Sequence, residues 1–503
     1  MKKPFGQLGL ITVLVLVFSF PAAGAAAEAE ATFVTSAPPM LTGVGNVAVK
    51  PLVTVGDILP GGLKFEGIPD GIAIDPRGAG RFDIYVNHEL STVPFGGVVD
   101  PMNSTVDRLT LKRSSGQIVA AEVVIPSSLN YQRFCSNFFA FTGADDGGPL
   151  LLTNEEATDF VNRTGTAWPG TPGEQAGLVV AYDPATGESR PIYGMGRHNH
   201  ENSVAIPAYD QAVILSGDDT FSAPSSQMYM YVADDRDAVW NDEGTLYGFV
   251  PSDPLVNDYG DLAFGDSVSG SFLEVPEDIA KGGQTGLEVW SNANNVFQFI
   301  RIEDIAFDRR QPNIVYFADT GEPRAVADPV TGRLARGPSG TTGPYPNGRI
   351  FKMVLNEDDP LVVDSLSILI DADAAGYNVI DAIHQPDNIE TTQHSLLIQE
   401  DPGSHNQYPA GGPGTNARIW KYDLRTGALN VVATVDQSLL PAASQGTWES
   451  SGIVDASAFF GRGAFLVDVQ AHGLFAETFG TDSLGNTIRT EAGQLLLIRI
   501  PGA

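Results

Sequence analysis

The chain has 503 residues, 43% of them hydrophobic and 18% charged, which is enough apolar material for a sizeable core and excludes a disordered polymer. Asp and Glu number 61 against 29 Lys and Arg, a net charge of −32; a surface of that sign repels nucleic acid and keeps company with cations. The 55 glycines and 34 prolines, without any long charge run, predict many short elements joined by turns, hence an all-β chain.

In chain order, residues 1–27 read as a cleaved secretory signal peptide: Lys2 and Lys3, an apolar run from Leu8 to Phe20, then small residues Ala22 to Ala27. An uncleaved anchor is the alternative, although the run is short for a bilayer span. The expected location is therefore extracytoplasmic, in the periplasm, at the cell surface or outside the cell, with no membrane contact after cleavage. Residues 28–503 are expected to form a single domain and a monomer. This oxidising destination makes the lone Cys135 notable: with no partner for a disulfide, it is either a small buried residue or a metal-binding or catalytic thiolate.

Beyond the leader, β-branched and aromatic runs alternate with Gly, Asp, Asn and Pro. Two hairpins repeat one pattern, Val179 to Glu188 and Ile419 to Ala428, each turning through Asp-x-x-Thr-Gly. A longer repeat consists of a polar or acidic residue, a small apolar strand, a turn, a second strand and an acid. Its copies run from Asp70 to Glu89, Asn137 to Glu155 and Glu156, and Glu201 to Asp218 and Asp219. Three more run from Glu303 to Asp319, Asp387 to Glu400 and Asp401, and Glu449 to Asp468. Small sets of strands recurring in this way predict a six-bladed β-propeller. Uneven spacing predicts long inserted loops near 100–130, 158–178, 222–300 and 325–348.

A propeller gathers the equivalent ends of its inner strands at one mouth of a channel, so repeated acids at those ends would converge. Packed carboxylates repel unless a hard cation or a proton intervenes. The alternative for any one of them is an ordinary turn acid. Five clusters stand out: Asn87-His88-Glu89, Thr153-Asn154-Glu155-Glu156, Gly196-Arg197-His198-Asn199-His200-Glu201, Gly217-Asp218-Asp219 and Arg301-Ile302-Glu303-Asp304. His198 and His200 share one strand face opposite Glu201 and are either ligands or packing residues. No Gly-x-Ser-x-Gly elbow and no phosphate-cradling glycine loop with lysine is present.

Taken in order with Cys135, Glu243-Gly244-Thr245-Leu246-Tyr247, Pro386-Asp387-Asn388, Glu449-Ser450-Ser451-Gly452 and Gln470-Ala471-His472, these clusters resemble the PhoX-type alkaline phosphatases, secreted propellers carrying iron and calcium. The resemblance is colinear over nearly the whole mature chain. It implies hydrolysis of phosphate monoesters, with a small phosphorylated substrate and with calcium and iron as cofactors. It also implies that Cys135 is an iron ligand and that Glu89, Glu156, Glu201, Glu303 and Asp387 are metal ligands. Arg301 would clamp phosphate oxygens, and Arg301 and Cys135 are the expected catalytic residues. The repeat acids Glu155, Asp219 and Glu449 join them as candidate ligands. The surroundings Arg133-Phe134-Cys135-Ser136 and Arg301-Ile302-Glu303-Asp304 depart from the family pattern, as a branch with altered metal or substrate would.

Two other readings stand beside this one. A calcium-dependent propeller hydrolase of another ester class (phosphodiester, phytate or lactone) predicts carboxylates at the channel with Cys135 elsewhere. A non-enzymatic, calcium-stabilised binding module predicts a capped channel or Arg301 turned away.

Overall fold

The structure, a computed structural model, describes residues 1, 31–75, 80–95, 97–143, 146–161, 173–220, 226–403, 416–438 and 447–503. The expected signal peptide thus lies, but for Met1, outside the described residues. Thr32–Ala503 form one compact unit, and no described helix is long and apolar enough to cross a membrane.

The chain is all-β and built as a propeller of antiparallel meanders. The first meander is Pro69–Asp75, Arg81–His88, Thr105–Lys112 and Ile118–Ile125; the second is Phe134–Ala140, Leu150–Glu155, Val179–Asp183 and Glu188–Ile192. Two further meanders share one nine-stranded sheet. They are His200–Ala205 through Thr245–Pro251, and Ile302–Phe307 through Val362–Asp371, with Ser267–Glu274 pairing to the outer strand of each. Pro386–Thr391, Ser395–Glu400, Arg418–Asp423 and Leu429–Val435 follow, with Leu41–Gly43 on their edge. The final sheet takes Glu449–Asp455, Ala464–Thr481 and Thr487–Arg499, and is completed by Ala48–Thr54 from the other end of the chain. The first strand of each meander packs on the first strand of the next, and the last returns to Pro69–Asp75. The ring therefore closes with chain start and chain end in one sheet, leaving no open face.

Both faces of these sheets are apolar because each is sandwiched between neighbours. Ile74, Ile84 and Leu109 of the first sheet pack on Leu466 and Leu495 of the last, while Ala73 and Tyr85 turn to Phe139 and Leu151 of the second. The repeated hairpins form as expected. Asp183 Oδ1 accepts from the Ala185 N–H at 2.8 Å and Asp423 Oδ1 from the Thr426 N–H at 2.8 Å. Gly187 and Gly427 supply the left-handed residue each turn needs, at φ 75° and 71°.

The stretches expected as inserts near 100–130 and 222–300 carry outer strands of the sheets. The first holds Thr105–Lys112 and Ile118–Ile125; the second holds Met228–Ala233, Thr245–Pro251 and Ser267–Glu274, with the helix Gln284–Ala293. These outer strands carry no channel acid, so the acid-bracketed repeat does not register them.

The closing strand is testable. Leu52→Ala empties a fully buried position of Ala48–Thr54 and is expected to cost about 2–5 kcal/mol of unfolding free energy. Val44→Ala, at a largely exposed position, is expected to stay within about 0.5 kcal/mol. Urea unfolding of both variants followed by fluorescence measures the difference.

Candidate metal centre

Each first strand breaks register near its start. Asp70 and Gly71 together face the single residue Asn87, and Cys135 and Ser136 face Asn154. Glu201 and Asn202 face Gly217, Glu303 and Asp304 face Ala318, and Asp387 and Asn388 face Gln399. In Glu449–Asp455 the extra residue is Gly452. Two residues against one is the geometry of a β-bulge, which re-aims side chains that ordinary pleating would alternate. Gly71 is required for this close approach: a Cβ there would lie 2.5 Å from the Asn137 nitrogen.

The bulges bring donors from different strands together. One ligand atom each from Cys135, Glu156 and Glu201 lies within 4.8 Å of the others, and the same holds for Glu201, Glu303 and Asp387 and for Asp387, Asp401 and Glu449. Glu201 and Asp387 are shared, so the three groups adjoin. In four of the bulges the second residue, Ser136, Asn202, Asp304 or Asn388, belongs to a polar layer behind them. Ser136 Oγ donates to Glu201 Oε1 at 3.0 Å, Asn388 Nδ2 donates to Ser136 Oγ at 3.1 Å, and Asn202 Nδ2 donates to Asp304.

Acids of the second strands divide into two roles. The residue paired with the start of the first strand ties down the preceding loop: Glu155 Oε1 accepts from the Gln132 N–H at 2.8 Å and Oε2 from the Leu178 N–H at 3.2 Å. Asp319 and Glu400 likewise accept from the N–H groups of Ile300 and His384, at 3.0 and 2.8 Å. The next residue in sequence turns inward, as Glu156 and Asp401 do. Glu155, expected as a ligand, is therefore corrected to a loop anchor, because neighbours in an extended chain point opposite ways.

Asp219 also departs from the ligand expectation. Its carboxylate takes Arg301 Nε at 2.7 Å and Nη2 at 2.6 Å, a bidentate pair buried on both sides. Arg301 Nη2 lies a further 3.2 Å from Glu303 Oε1. Glu89 faces the cluster from its edge and accepts from Gln470 Nε2 at 3.0 Å, but it joins no group of three among the described residues. His198 and His200 stay in the core, with ring centroids 3.5 Å apart, and His200 Nδ1 lies 2.7 Å from Ser216 Oγ. Asp70 and Asp401 are the residues the ligand set missed, although both bracket the acid repeat. Asp70 accepts from Cys135 Sγ at 3.0 Å and from Ser451 Oγ at 2.6 Å.

The electrostatics are those of crowded, buried acids. Burial, then repulsion from Asp219 and Glu89, pushes Glu156 well above the usual carboxylate range. Burial and Asp70 do the same to Glu201, and burial, Glu303 and Glu201 to Asp387. Glu89 is pushed to about 7 by burial and by Asp70. Burial and the surrounding acids hold the Cys135 thiol up as well. Arg301 stays fully charged because Asp219 and Glu303 outweigh its burial. Hard cations suit the all-oxygen groups Glu201/Glu303/Asp387 and Asp387/Asp401/Glu449. The thiol in Cys135/Glu156/Glu201 suits a softer transition metal. The donor set thus fits the two metals that the resemblance implies.

No family model and no curated protein matches this chain. Among solved structures it is similar to one described as "Structure of Dos1 propeller", at 9% identity over 85% of this chain and 67% of that one, with a TM-score of 0.33. It is also similar to the crystal structure of the NanB sialidase from Streptococcus pneumoniae in complex with 2-[(3-chlorobenzyl)ammonio]ethanesulfonate, at 10% identity over 86% and 69%, with a TM-score of 0.36.

A carboxyl group whose folded pKa is raised keeps more protons folded than unfolded, so its stabilising effect is present below the ordinary carboxylate range and is lost as pH rises through the folded value. For the metal-free chain, melting temperature is therefore expected to fall as pH rises from about 5 through about 7, where Glu89 and Asp304 ionise. Saturating calcium is expected to flatten that fall, because a bound cation favours the ionised carboxylates. Thermal melts with and without a chelator across this range measure both.

Proposed function

We propose that this chain is a six-bladed propeller acting as an extracytoplasmic, metal-dependent phosphomonoesterase, a divergent member of the PhoX-type group. The observation that carries the reading is that Cys135 Sγ shares the channel end with Glu156 and Glu201 while Arg301 stands beside Glu303 in the adjoining group. Neither competing reading asks for a thiol among the carboxylates.

In this reading Glu201, Glu303, Asp387, Asp401 and Glu449 would hold calcium, and Cys135 with Glu156 and Glu201 would hold iron. Bound cations supply charge neutralisation at the phosphoryl oxygens and lower the pKa of water. The protein's own contribution is orientation. Asp219 fixes the plane of the Arg301 guanidinium through Nε and Nη2, so the orientation of its charge is set before a phosphoryl group arrives. Thr320 Oγ donates to Glu303 and lies 3.1 Å from the Pro386 carbonyl oxygen, which ties Glu303 to the strand bearing Asp387. Ser136 and Asn388 hold Glu201 from behind.

One observation favours the second reading, hydrolysis of another ester class: both contacts of the Arg301 fork to Asp219 are already made. The test is elemental analysis of the secreted protein beside hydrolysis of chromogenic phosphomonoester, phosphodiester and lactone substrates. Iron with calcium and chelator-sensitive monoester hydrolysis is the expected result; calcium alone with turnover only of diester or lactone overturns the phosphomonoesterase reading. Arg301→Lys, which keeps the charge but loses the fork, is expected to lower kcat/KM about a hundredfold. Cys135→Ser is expected to lose iron while keeping calcium.

A further inference from the structure

A cavity of about 780 Å³ occupies the channel on the side away from the metal centre. It is lined by later residues of the first strands and by the loops that follow them, and its floor is the polar layer of Asn137, Asn202 and Asp304. Hydrogen bonds within that layer, such as the 2.9 Å bond from the Ile389 N–H to Asp304 Oδ2, separate it from the carboxylate cluster. It is thus a second compartment with its own mouth.

Its chemistry differs from that of the metal centre. The wall is an apolar and aromatic girdle of Ile72, Phe138, Val204, Ile305, Phe307 and Ile389, with the rings of Phe138 and Phe307 edge to face at 6.4 Å. Asp146, Asp210, Asp235 and Asp455 also line it, against two cationic side chains among the described residues. Both of those are already neutralised: Arg236 by Asp183 at 2.7 Å, Arg309 by Glu390 at 2.7 Å. Arg309 also lies over the Phe307 ring at 4.8 Å, so a cation already rests on an aromatic face of this wall. The volume is that of a small-molecule site. Apolar walls exclude bare metal ions, which need oxygen on every side, and the unbalanced acids repel anions such as the phosphate esters assigned to the other mouth.

We propose that this cavity is a binding site for a small organic cation with an apolar body, a tertiary or quaternary ammonium. The body packs on the girdle, and the charge is held by aromatic faces and by the acids. The site is distinct from the metal centre and does not depend on the phosphatase reading.

The test is calorimetric titration of the calcium-saturated full-length protein with phenyltrimethylammonium, its neutral isostere tert-butylbenzene, and benzenesulfonate. The expected result is one cation per chain, bound about tenfold more tightly than the neutral isostere, with no binding of the sulfonate. Asp210→Asn with Asp455→Asn, both outside the metal centre, is expected to weaken the cation about fivefold and leave the neutral compound unchanged. Ala205→Phe, which places a ring in the cavity, is expected to abolish binding; a thermal melt reports whether that variant folds, and the Asn pair stands as the independent variant if it does not. Equal affinity for the cation and its isostere overturns the proposal. So does cation binding that is seen only after calcium is removed, which would put the cation in the carboxylate cluster instead.

Discussion

Mutual repulsion among buried acids is the constraint on which the rest of this molecule turns. Asp70, Glu89, Glu156, Glu201, Glu303, Asp387 and Glu449 all have their carboxyl groups pushed up, by burial first and for most of them by one another. Among the described residues Arg301, His472 and, beside Glu89, Arg133 bring positive charge nearby. Burial works against the charge of His472, yet its contacts to Glu449 and Glu491 raise it. Without cations, such a cluster is tolerable only partly protonated, and a closed ring of apolar sheets is needed to hold it together.

The scaffold meets that demand with a repeated local device. In four of the sheets a bulge at the start of the first strand turns one residue, Cys135, Glu201, Glu303 or Asp387, to the cluster and the next to a hydrogen-bonded layer behind it. Residues facing the bulges then brace neighbouring strands. Asn87 Nδ2 donates to Thr153 Oγ at 2.8 Å and to the Cys135 carbonyl oxygen, and Gln399 Nε2 donates to Ser450 Oγ. The donors are thus positioned by main-chain geometry rather than by flexible loops, the arrangement that a multi-cation site requires. The same layer floors the cavity behind, so one set of strands borders two compartments, one of packed carboxylates and one with an apolar wall.

Much of this was legible in residue order. The acid repeat marked the first two strands of each meander, because an acid at each end of an apolar hairpin survives as a pattern without any knowledge of pairing. The outer strands were not legible: Thr105–Lys112 or Thr245–Pro251 carry only the alternation common to half-buried strands, and they read as insertions. Within the site, Glu155 and Glu156 are adjacent and chemically identical, so nothing in the letters says that the first takes the Gln132 and Leu178 N–H groups while the second meets Cys135. Asp70 and Asp401 were visible as repeat boundaries, but only their contacts with Cys135 and with Asp387 and Glu449 identify them as part of the cluster.

The sequence by itself determined the sign of the charge, the β class, the periodic return of acids and the presence of a single thiol, because composition and spacing are properties of the chain alone. Only the tertiary structure decided which acids converge, that Arg301 is clamped by Asp219, that the His198 and His200 pair remains in the core, and that a cavity opens behind the cluster. Those outcomes depend on strand register and on the bulges that shift it, and a one-residue change of register sends a side chain to the opposite face.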